Sequence, residues 1–153
     1  MSPNPDIWTL RVSLPRDRRQ SGDFELLDAA GNKVLVGGCL GKADNERAIE
    51  AGNATRDPLR PYGDTPSGLY RPARVLHLVP RHQRMGDYAI PIIGAAGQAL
   101  GAMTERTGLY VHAGRGDARL VPTYGCLRLL DRDMLAIQRR VGDSLITVEI
   151  SER

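Results

Sequence analysis

Cysteine and histidine are scarce in this sequence, and their scarcity excludes several classes of protein. The chain has two cysteines and three histidines in 153 residues, and no Cys-x-x-Cys pair. A structural zinc site needs about four such ligands at short spacing, so we expect neither a metal nor another cofactor. Nothing in the sequence indicates a disulfide between Cys39 and Cys126.

Aromatic residues and lysine are also rare. Aromatics make up 5% of the chain, so leucine, valine, isoleucine and alanine must fill the core. Lysine contributes 2 of the 21 basic residues, and the net charge is +3. The only tight basic run, Arg16–Arg19, is interrupted by Asp17 and has no interleaved aromatics, so we do not expect a nucleic-acid partner. The excess of arginine indicates either a solvated surface or an anionic partner.

Long hydrophobic runs are missing as well. The first eight residues, Met1–Trp8, have neither the basic region nor the apolar stretch of a secretory leader. No run approaches the length of a membrane span. We therefore expect a chain that is made in the cytosol without a leader and has no membrane partner, unless a leader has been removed or another machine exports the protein.

The residues that are present predict one mainly β domain. Hydrophobic residues make up 41% and charged residues 25%, which is ordinary for a globular protein, and 153 residues suit a single domain, 1–153. Apolar residues alternate over Ile7–Leu14, and Phe24–Leu27 and Lys33–Val36 flank a turn and read as a hairpin. The glycine-rich run Gly37–Gly41 is expected to let the chain bend or leave the sheet. Further strands are predicted over Leu69–Val79, Tyr88–Ile93, Leu109–His112 and Leu145–Ile150, for six to eight in all.

One good helix is predicted among these strands. Over Asp131–Val141 the apolar residues recur at helical spacing, Asp131 is a candidate N-cap, and Gly142 follows the end. A shorter helix is predicted within Asp44–Ala51, and residues 57–67 form a long proline-containing loop. Strands and helices do not alternate regularly, so the sequence favours a mainly β, α+β class over a doubly wound parallel sheet.

The chemistry-bearing segment is Thr123–Arg128, which places Cys126 in a turn directly after Gly125. Upstream, His112 ends a short apolar run. The thiolate is the reactive form of cysteine and needs a base or a positive field near neutral pH. A histidine at one strand end and a cysteine in a turn can form such a pair.

Three ordered segments resemble the catalytic domain of the L,D-transpeptidases, the YkuD-type fold. They are Gly63-Asp64-Thr65-Pro66-Ser67-Gly68-Leu69-Tyr70, Leu109-Tyr110-Val111-His112 and Thr123-Tyr124-Gly125-Cys126-Leu127-Arg128-Leu129. The helix and strand of residues 131–148 are also similar, so the resemblance covers roughly residues 60–150. Two features depart from the family pattern: Tyr124 replaces a histidine, and His112 and Cys126 are only 126 − 112 = 14 positions apart. Residues 1–59 match only in general β character.

The resemblance implies a role for each residue around the thiol. Cys126 would be the nucleophile and His112 its base, with the second ring nitrogen of His112 held by the backbone carbonyl of Ala113. The amides around Tyr124 to Cys126, with Gly125 between them, would form an oxyanion hole. The fold would be a β-sandwich with one main helix after the cysteine turn.

Two further residues are candidate substrate contacts. Arg128 would bind a carboxylate of the substrate, although a structural pairing beneath the loop is an equal alternative. Thr123 is expected to hydrogen-bond within the turn and to border the substrate. His77 lies inside a predicted strand and is a weaker candidate base, whereas His82 sits among arginines and is expected to face solvent. Cys39 is expected to be a buried residue at a strand end.

The implied activity is that of a cysteine-dependent L,D-transpeptidase or L,D-carboxypeptidase acting on peptidoglycan tetrapeptide stems. A leaderless chain of this kind looks like the branch of antibacterial effectors that act as toxins in a rival's periplasm. That branch would bring an immunity protein and a secretion apparatus as partners. Two alternatives stay open: a papain-like or NlpC/P60-like peptidase, disfavoured because the histidine precedes the cysteine, and a non-catalytic module of the same fold that binds wall or another polyanion.

Overall fold

The computed structural model describes residues 7–153, so the expectation drawn from Met1–Trp8 lies largely outside the described residues. The chain is mainly β, with eleven strands in two mixed sheets and three short helices within this range. The strands are β1 Ile7–Leu14, β2 Gly22–Leu27, β3 Lys33–Cys39, β4 Gly68–Tyr70, β5 Ala73–Arg74, β6 Leu76–His82, β7 Gly86–Pro91, β8 Gly94–Ala96, β9 Tyr110–His112, β10 Leu127–Arg128 and β11 Leu145–Glu152. The helices are α1 Asn45–Glu50, α2 Gly97–Ala102 and α3 Asp131–Val141.

The larger sheet has the order β3-β2-β1-β11-β4-β8, and β5 also pairs with β11. Its centre joins the two ends of the described chain, because β1 and β11 run parallel from Ile7 opposite Leu145 to Leu14 opposite Glu152. Alternate residues of β1 are buried, as the period-two pattern predicts. The inward side chains of this sheet, of β7, β9 and β10, and of α3 form one apolar cluster.

The smaller sheet has the order β10-β9-β7-β6. The predicted base, His112, ends β9, and the predicted nucleophile, Cys126, directly precedes β10. β9 runs antiparallel to β7 and parallel to β10. Helix α3 follows β10 directly and packs against β7. The amphipathic pattern over Asp131–Val141 predicted its bounds correctly, and Gly142 follows its end with a φ of 57°.

Three local predictions were wrong. The strand count was too low, because several strands have only two or three residues and leave no periodic pattern. The chain does not leave the sheet after Val36: β3 continues to Cys39, and Gly37 leaves room for the Phe24 ring, which a Cβ would meet at 2.4 Å. Asp131 is the first residue of α3 rather than its N-cap, which is Leu130.

The Asp131 carboxylate is instead used to hold the loop that follows β9. Its Oδ1 accepts a hydrogen bond from the Gly114 N–H at 2.8 Å, and its Oδ2 accepts one from Arg81 at 3.0 Å. The start of α3 is thereby fixed to the segment just after His112.

Candidate active site

Strand pairing brings the cysteine turn beside the histidine. In the parallel pair β9–β10, Leu127 lies opposite Val111 and Arg128 lies opposite His112. Leu127 and Val111 are fully buried in the core. Because side chains alternate along a strand, Cys126, which directly precedes β10, is on the same face as Arg128 and His112.

His112, Cys126 and Arg128 line one cleft of about 560 Å³. Its walls contain five of the seven predicted site residues: His112, Thr123, Tyr124, Cys126 and Arg128. The other two, Ala113 and Gly125, lie behind the lining and act through their backbones. A cleft of this size suits a peptide-sized ligand.

His112 is almost fully buried, at 3% exposure, and its orientation is fixed. Its Nδ1 lies 2.8 Å from the Ala113 carbonyl oxygen, the contact that the resemblance implies. Since a carbonyl only accepts, Nδ1 carries the proton in neutral imidazole and Nε2 has a free lone pair. Burial lowers the pKa of His112 to about 4, so the ring is neutral at pH 7.

The Cys126 thiol is half-buried and contacts the backbone before β9. The Tyr110 N–H donates to its Sγ at 3.3 Å, and the Sγ lies 3.8 Å from the Gly108 carbonyl oxygen. Burial raises the pKa of the thiol, against the opposing effects of the Tyr110 amide and of Arg106 and Arg128. Among residues 7–153, no hydrogen bond joins the thiol to His112. At rest the pair is therefore a neutral thiol and a neutral imidazole.

Hydrogen bonds within the turn fix its conformation. The Thr123 hydroxyl donates to the Cys126 carbonyl at 2.7 Å and accepts from the Gly125 N–H at 3.0 Å. Thr65, buried beneath the turn, donates to the Gly125 carbonyl at 2.9 Å. The predicted hydrogen-bonding role of Thr123 is confirmed. Because the Gly125 amide is used within the turn, an oxyanion site there is left with the amides of Tyr124 and Cys126.

Arg106 is a site residue that the sequence did not reveal. Its guanidinium, almost fully buried, donates to the Pro58 and Asp64 carbonyls at 2.9 and 2.7 Å. It also lies against Gly125, where a Cβ would come within 1.8 Å of its Nη2. Gly125 has a φ of 117° as well, so both the backbone and the space require glycine. Arg106 thus places a positive charge directly under the cysteine turn.

Arg128 has the structural pairing that the sequence left as an alternative. Its Nε donates to the Val121 carbonyl at 2.8 Å, and its Nη1 donates to the Ala113 carbonyl. Burial lowers its pKa to about 10, so it remains charged at pH 7. It therefore holds the loop after β9 while contributing positive charge to the cleft wall.

The remaining candidates lie as follows. His77 stacks on Tyr88 at 4.9 Å within the smaller sheet and does not line the cleft. His82 is exposed, as predicted, but it also lines the cleft, and its Nδ1 accepts from the Arg84 and Met85 amides. Cys39 is a free, fully buried thiol at the end of β3, as predicted.

The described residues, 7–153, offer neither a metal site nor a membrane-spanning helix. No three or more histidine, cysteine, aspartate or glutamate side chains in this range are grouped as metal ligands would be. None of the three helices combines the length and apolar character that crossing a bilayer requires.

Fold and cleft together define a mainly β domain in which a histidine ends one strand and a cysteine directly precedes the parallel strand beside it. No family model and no curated protein matches the sequence. Solved structures do share the fold. The helical cell shape determining protein Pgp2 from Campylobacter jejuni superposes with a TM-score of 0.56 at 16% identity, over 99% of this chain and 52% of that one.

Two further structures give the same result. A point mutant of Pgp2 superposes with a TM-score of 0.57 at 17% identity, over 97% of this chain and 48% of that one. Bd1075 from Bdellovibrio bacteriovorus has a TM-score of 0.54 at 13% identity, over 90% of this chain and 46% of that one. The chain thus spans about half the length of these structures, and the likeness establishes a shared fold.

Proposed function

We propose that the protein is a cysteine-dependent acyltransferase of the L,D-transpeptidase type that acts on the tetrapeptide stems of peptidoglycan. One observation carries the proposal: His112, at the end of β9, and Cys126, directly before the parallel strand β10, line one cleft, and the His112 Nδ1 is fixed by Ala113. The ordered motifs of residues 60–150 support it. So does the shared fold with a cell-shape determining protein, since cell shape points to the wall.

The first chemical step forms a thioester. The Cys126 sulfur attacks the carbonyl carbon of the third stem residue while its proton passes to His112 Nε2. The resulting oxyanion is stabilised by the amides of Tyr124 and Cys126. The bond to the fourth residue then breaks, and its nitrogen takes the proton from His112 and leaves as D-alanine.

The second step releases the acyl group. An amine of a second stem, or water, attacks the thioester carbon while one of its protons passes to His112. The new amide or acid forms, the carbon–sulfur bond breaks, and the proton returns to the thiol. Transfer to an amine gives a cross-link, and transfer to water gives carboxypeptidase activity. The site of action would be the periplasm, where these stems are found.

The neutral resting pair determines how the base acts. Since His112 is neutral and the thiol keeps its proton, the proton moves during attack rather than before it. A neutral imidazole with an open Nε2 can accept that proton directly. The charges of Arg106 and Arg128 favour the developing thiolate. Tyr124, which stands where the family pattern has a histidine, cannot supply such a charge.

A non-catalytic module that binds the wall is the second candidate. The observation that favours it is the contact between the Cys126 Sγ and the Gly108 carbonyl, with no bond to His112 among the described residues. Such a module would bind stem peptides and leave them intact.

Purified protein incubated with a defined tetrapeptide muropeptide separates the two candidates. Mass spectrometry of the products should show loss of D-alanine or formation of dimers. Cys126→Ala should abolish this, whereas Cys39→Ala, which removes the other thiol, should retain it. Intact muropeptides with both wild type and Cys126→Ala would favour the binding module. Cleavage at another bond would refute the substrate assignment.

A further inference from the structure

Two arginines and two tyrosines cluster beside the cleft, in a group that we call the arginine–tyrosine wall. Its members are Arg47 from α1, Tyr62 from the loop before β4, Arg84 from the β6–β7 turn and Tyr124 from the cysteine turn. The guanidinium carbons of Arg47 and Arg84 lie 4.9 and 4.7 Å from the centre of the Tyr124 ring. The Tyr62 and Tyr124 rings pack edge to face, with their centres 6.0 Å apart. Stacking on an aromatic face therefore holds both charges beside the turn that carries the nucleophile.

The backbone at Tyr62 is strained, and this strain favours a ligand-binding role for the arginine–tyrosine wall. Its φ is 61°, in the left-handed region that bulky residues rarely adopt. Such strain persists only where the surroundings maintain it, and it is common at ligand clamps. Tyr62 is also 38% exposed, so burial in the core does not account for its position.

The cleft has more positive charge than its own acids neutralise. Four arginines line it, and among residues 7–153 none of them forms an ion pair with a carboxylate; they are Arg84, Arg106, Arg115 and Arg128. The acids in the lining are Asp44 and Glu105, and the Asp44 carboxylate caps α1. A cleft lined by charge of one sign concentrates ligands of the opposite sign.

The positions of the four arginines divide them into two kinds. Arg106 and Arg128 are buried and use backbone carbonyls, so they contribute charge from behind the wall. Arg84 and Arg115 are exposed at the cleft surface. Of these two exposed arginines, Arg84 stacks on Tyr124, which lies two residues before Cys126. The stacked guanidinium is a preoriented planar donor, which suits a carboxylate.

We propose that the arginine–tyrosine wall binds a free carboxylate of the acyl-donor peptide, and thereby selects donors that carry a carboxylate near the bond to be broken. The inference rests on the proposed function for the identity of the peptide. Tyr124 is a positioning residue in this account: it orients Arg47 and Arg84, and they contact the ligand. Two carboxylates of a stem are candidates, the terminal one of the fourth residue and the side-chain one of the third.

The first test uses small alkylating probes and needs no substrate. Iodoacetate and iodoacetamide both alkylate a thiolate, forming a carbon–sulfur bond and releasing iodide, but only iodoacetate is an anion. The measured quantity is the rate of iodoacetate alkylation at Cys126 divided by the rate of iodoacetamide alkylation. Peptide mass spectrometry measures both rates and separates Cys126 from Cys39. We expect the folded protein to exceed the denatured chain in this ratio by about tenfold.

Variants assign that preference to the wall. Arg47→Gln/Arg84→Gln should lower the ratio by about fivefold. Because both reagents attack the same thiolate, any change in the ionisation of Cys126 cancels in this ratio. The matched control, Arg71→Gln/Arg74→Gln, removes the same charge from exposed positions outside the cleft lining and should leave the ratio at the wild-type value. Equal ratios for the wall variant and the wild type would overturn the proposal. An equal fall in the control would also overturn it, because net charge alone would then be the cause.

The second test identifies which carboxylate is bound. Cys126→Ala protein is titrated with three peptides. They are the unmodified tetrapeptide stem, the same stem with its terminal carboxylate amidated, and the same stem with the side-chain carboxylate of the third residue amidated. One amidation should weaken binding by about tenfold, and the loss should vanish in the Arg47→Gln/Arg84→Gln background. Equal binding of all three peptides would refute the proposal. If no peptide binds while the wall still sets the reagent ratio, the wall stands as an anion subsite and the peptidoglycan substrate is wrong.

Discussion

Cys126 and His112 form a neutral pair at rest, and this property distinguishes them from a preformed thiolate–imidazolium pair. The His112 ring is too buried to take a second proton and become an imidazolium at pH 7, with a pKa of about 4. The thiol pKa is raised by the same lack of water. Reactivity then depends on charges that do not titrate near neutral pH, and the buried Arg106 is the one packed under the turn.

The ionisation of the thiol tests this assignment. The rate of iodoacetamide alkylation at Cys126 should rise with pH as a single ionisation with a pKa above the usual value of 9.0, because burial opposes the thiolate. Arg106→Gln should raise that pKa further, and Arg106→Lys, which keeps the charge, should restore the wild-type curve. A plateau of the wild-type rate near pH 6 would contradict the neutral pair. Failure of lysine to rescue would indicate a purely structural role for Arg106.

Acid stability tests the burial of His112. Its pKa falls from 6.5 to about 4 on folding, so between these values the unfolded chain binds a proton that the folded protein does not. The free energy of unfolding therefore rises with pH in this window, and about 3 kcal/mol is lost as the pH falls from 7 to 4. In His112→Asn, whose amide can still donate to Ala113, this loss should disappear from urea unfolding curves. Parallel pH profiles for both proteins would show that His112 is not buried as described.

At the residue scale, sequence reasoning predicted the contacts that are local in the chain and missed those that are not. The placement of Ala113 behind His112 followed from the resemblance, since the two are neighbours in sequence. Arg106 carried no signal, because its partners Pro58 and Asp64 are 48 and 42 positions away. The sequence could not decide whether Arg128 binds a substrate carboxylate or pairs beneath the loop, because the carbonyls that it contacts are placed by the fold.

At the scale of elements, the cysteine turn is held by glycine and by the arginine beneath it. Gly125→Ala would put a Cβ within 1.8 Å of Arg106 and force an L residue into a φ of 117°. We expect this change to lower the free energy of unfolding by about 3 kcal/mol and to abolish acyl transfer. The control, Gly31→Ala, has a φ of 89° with nothing within 4 Å and should cost about 1 kcal/mol. Equal costs would show that Arg106 does not pack against the turn.

Elements with a clear periodicity were predictable, and those shaped by distant contacts were not. Helix α3 and strand β1 were predicted with their observed bounds, because apolar spacing alone defines them. The predicted N-cap of α3 was wrong because the Asp131 carboxylate accepts a hydrogen bond from the Gly114 N–H instead, and the smaller sheet brings Gly114 beside it. Strand β3 was predicted too short because Gly37, the first of the glycines that suggested an exit, instead leaves room for the Phe24 ring within the sheet.

At the scale of the whole molecule, the first and last described strands hold the larger sheet together. Val12→Asp would place a carboxylate in the fully buried face of β1, between β2 and β11, and should lower the free energy of unfolding by more than about 4 kcal/mol. Ser13→Asp, on the opposite face and beside Arg153, should have little effect. Thermal unfolding of the two variants compares them directly. Similar melting temperatures would contradict the alternation of β1 and the central position given to it.

The class of fold was accessible from composition and pattern, but the arrangement of the strands was not. Nothing in the local sequence indicates that β1 pairs with β11, nor that α1 and the β6–β7 turn meet the cysteine turn at Tyr124. These contacts join segments far apart in the chain, and they determine the shape and the charge of the cleft.

Intact-mass analysis of the acyl-enzyme tests the central claim most directly. Wild-type protein mixed with a tetrapeptide stem and quenched in acid should gain the mass of the tripeptide acyl group, less the hydrogen of the thiol, at Cys126. Cys39→Ala should gain the same mass, and Cys126→Ala should gain none. An adduct that survives in Cys126→Ala, or stem turnover with no adduct at Cys126 under any quench time, would contradict nucleophilic attack by this cysteine.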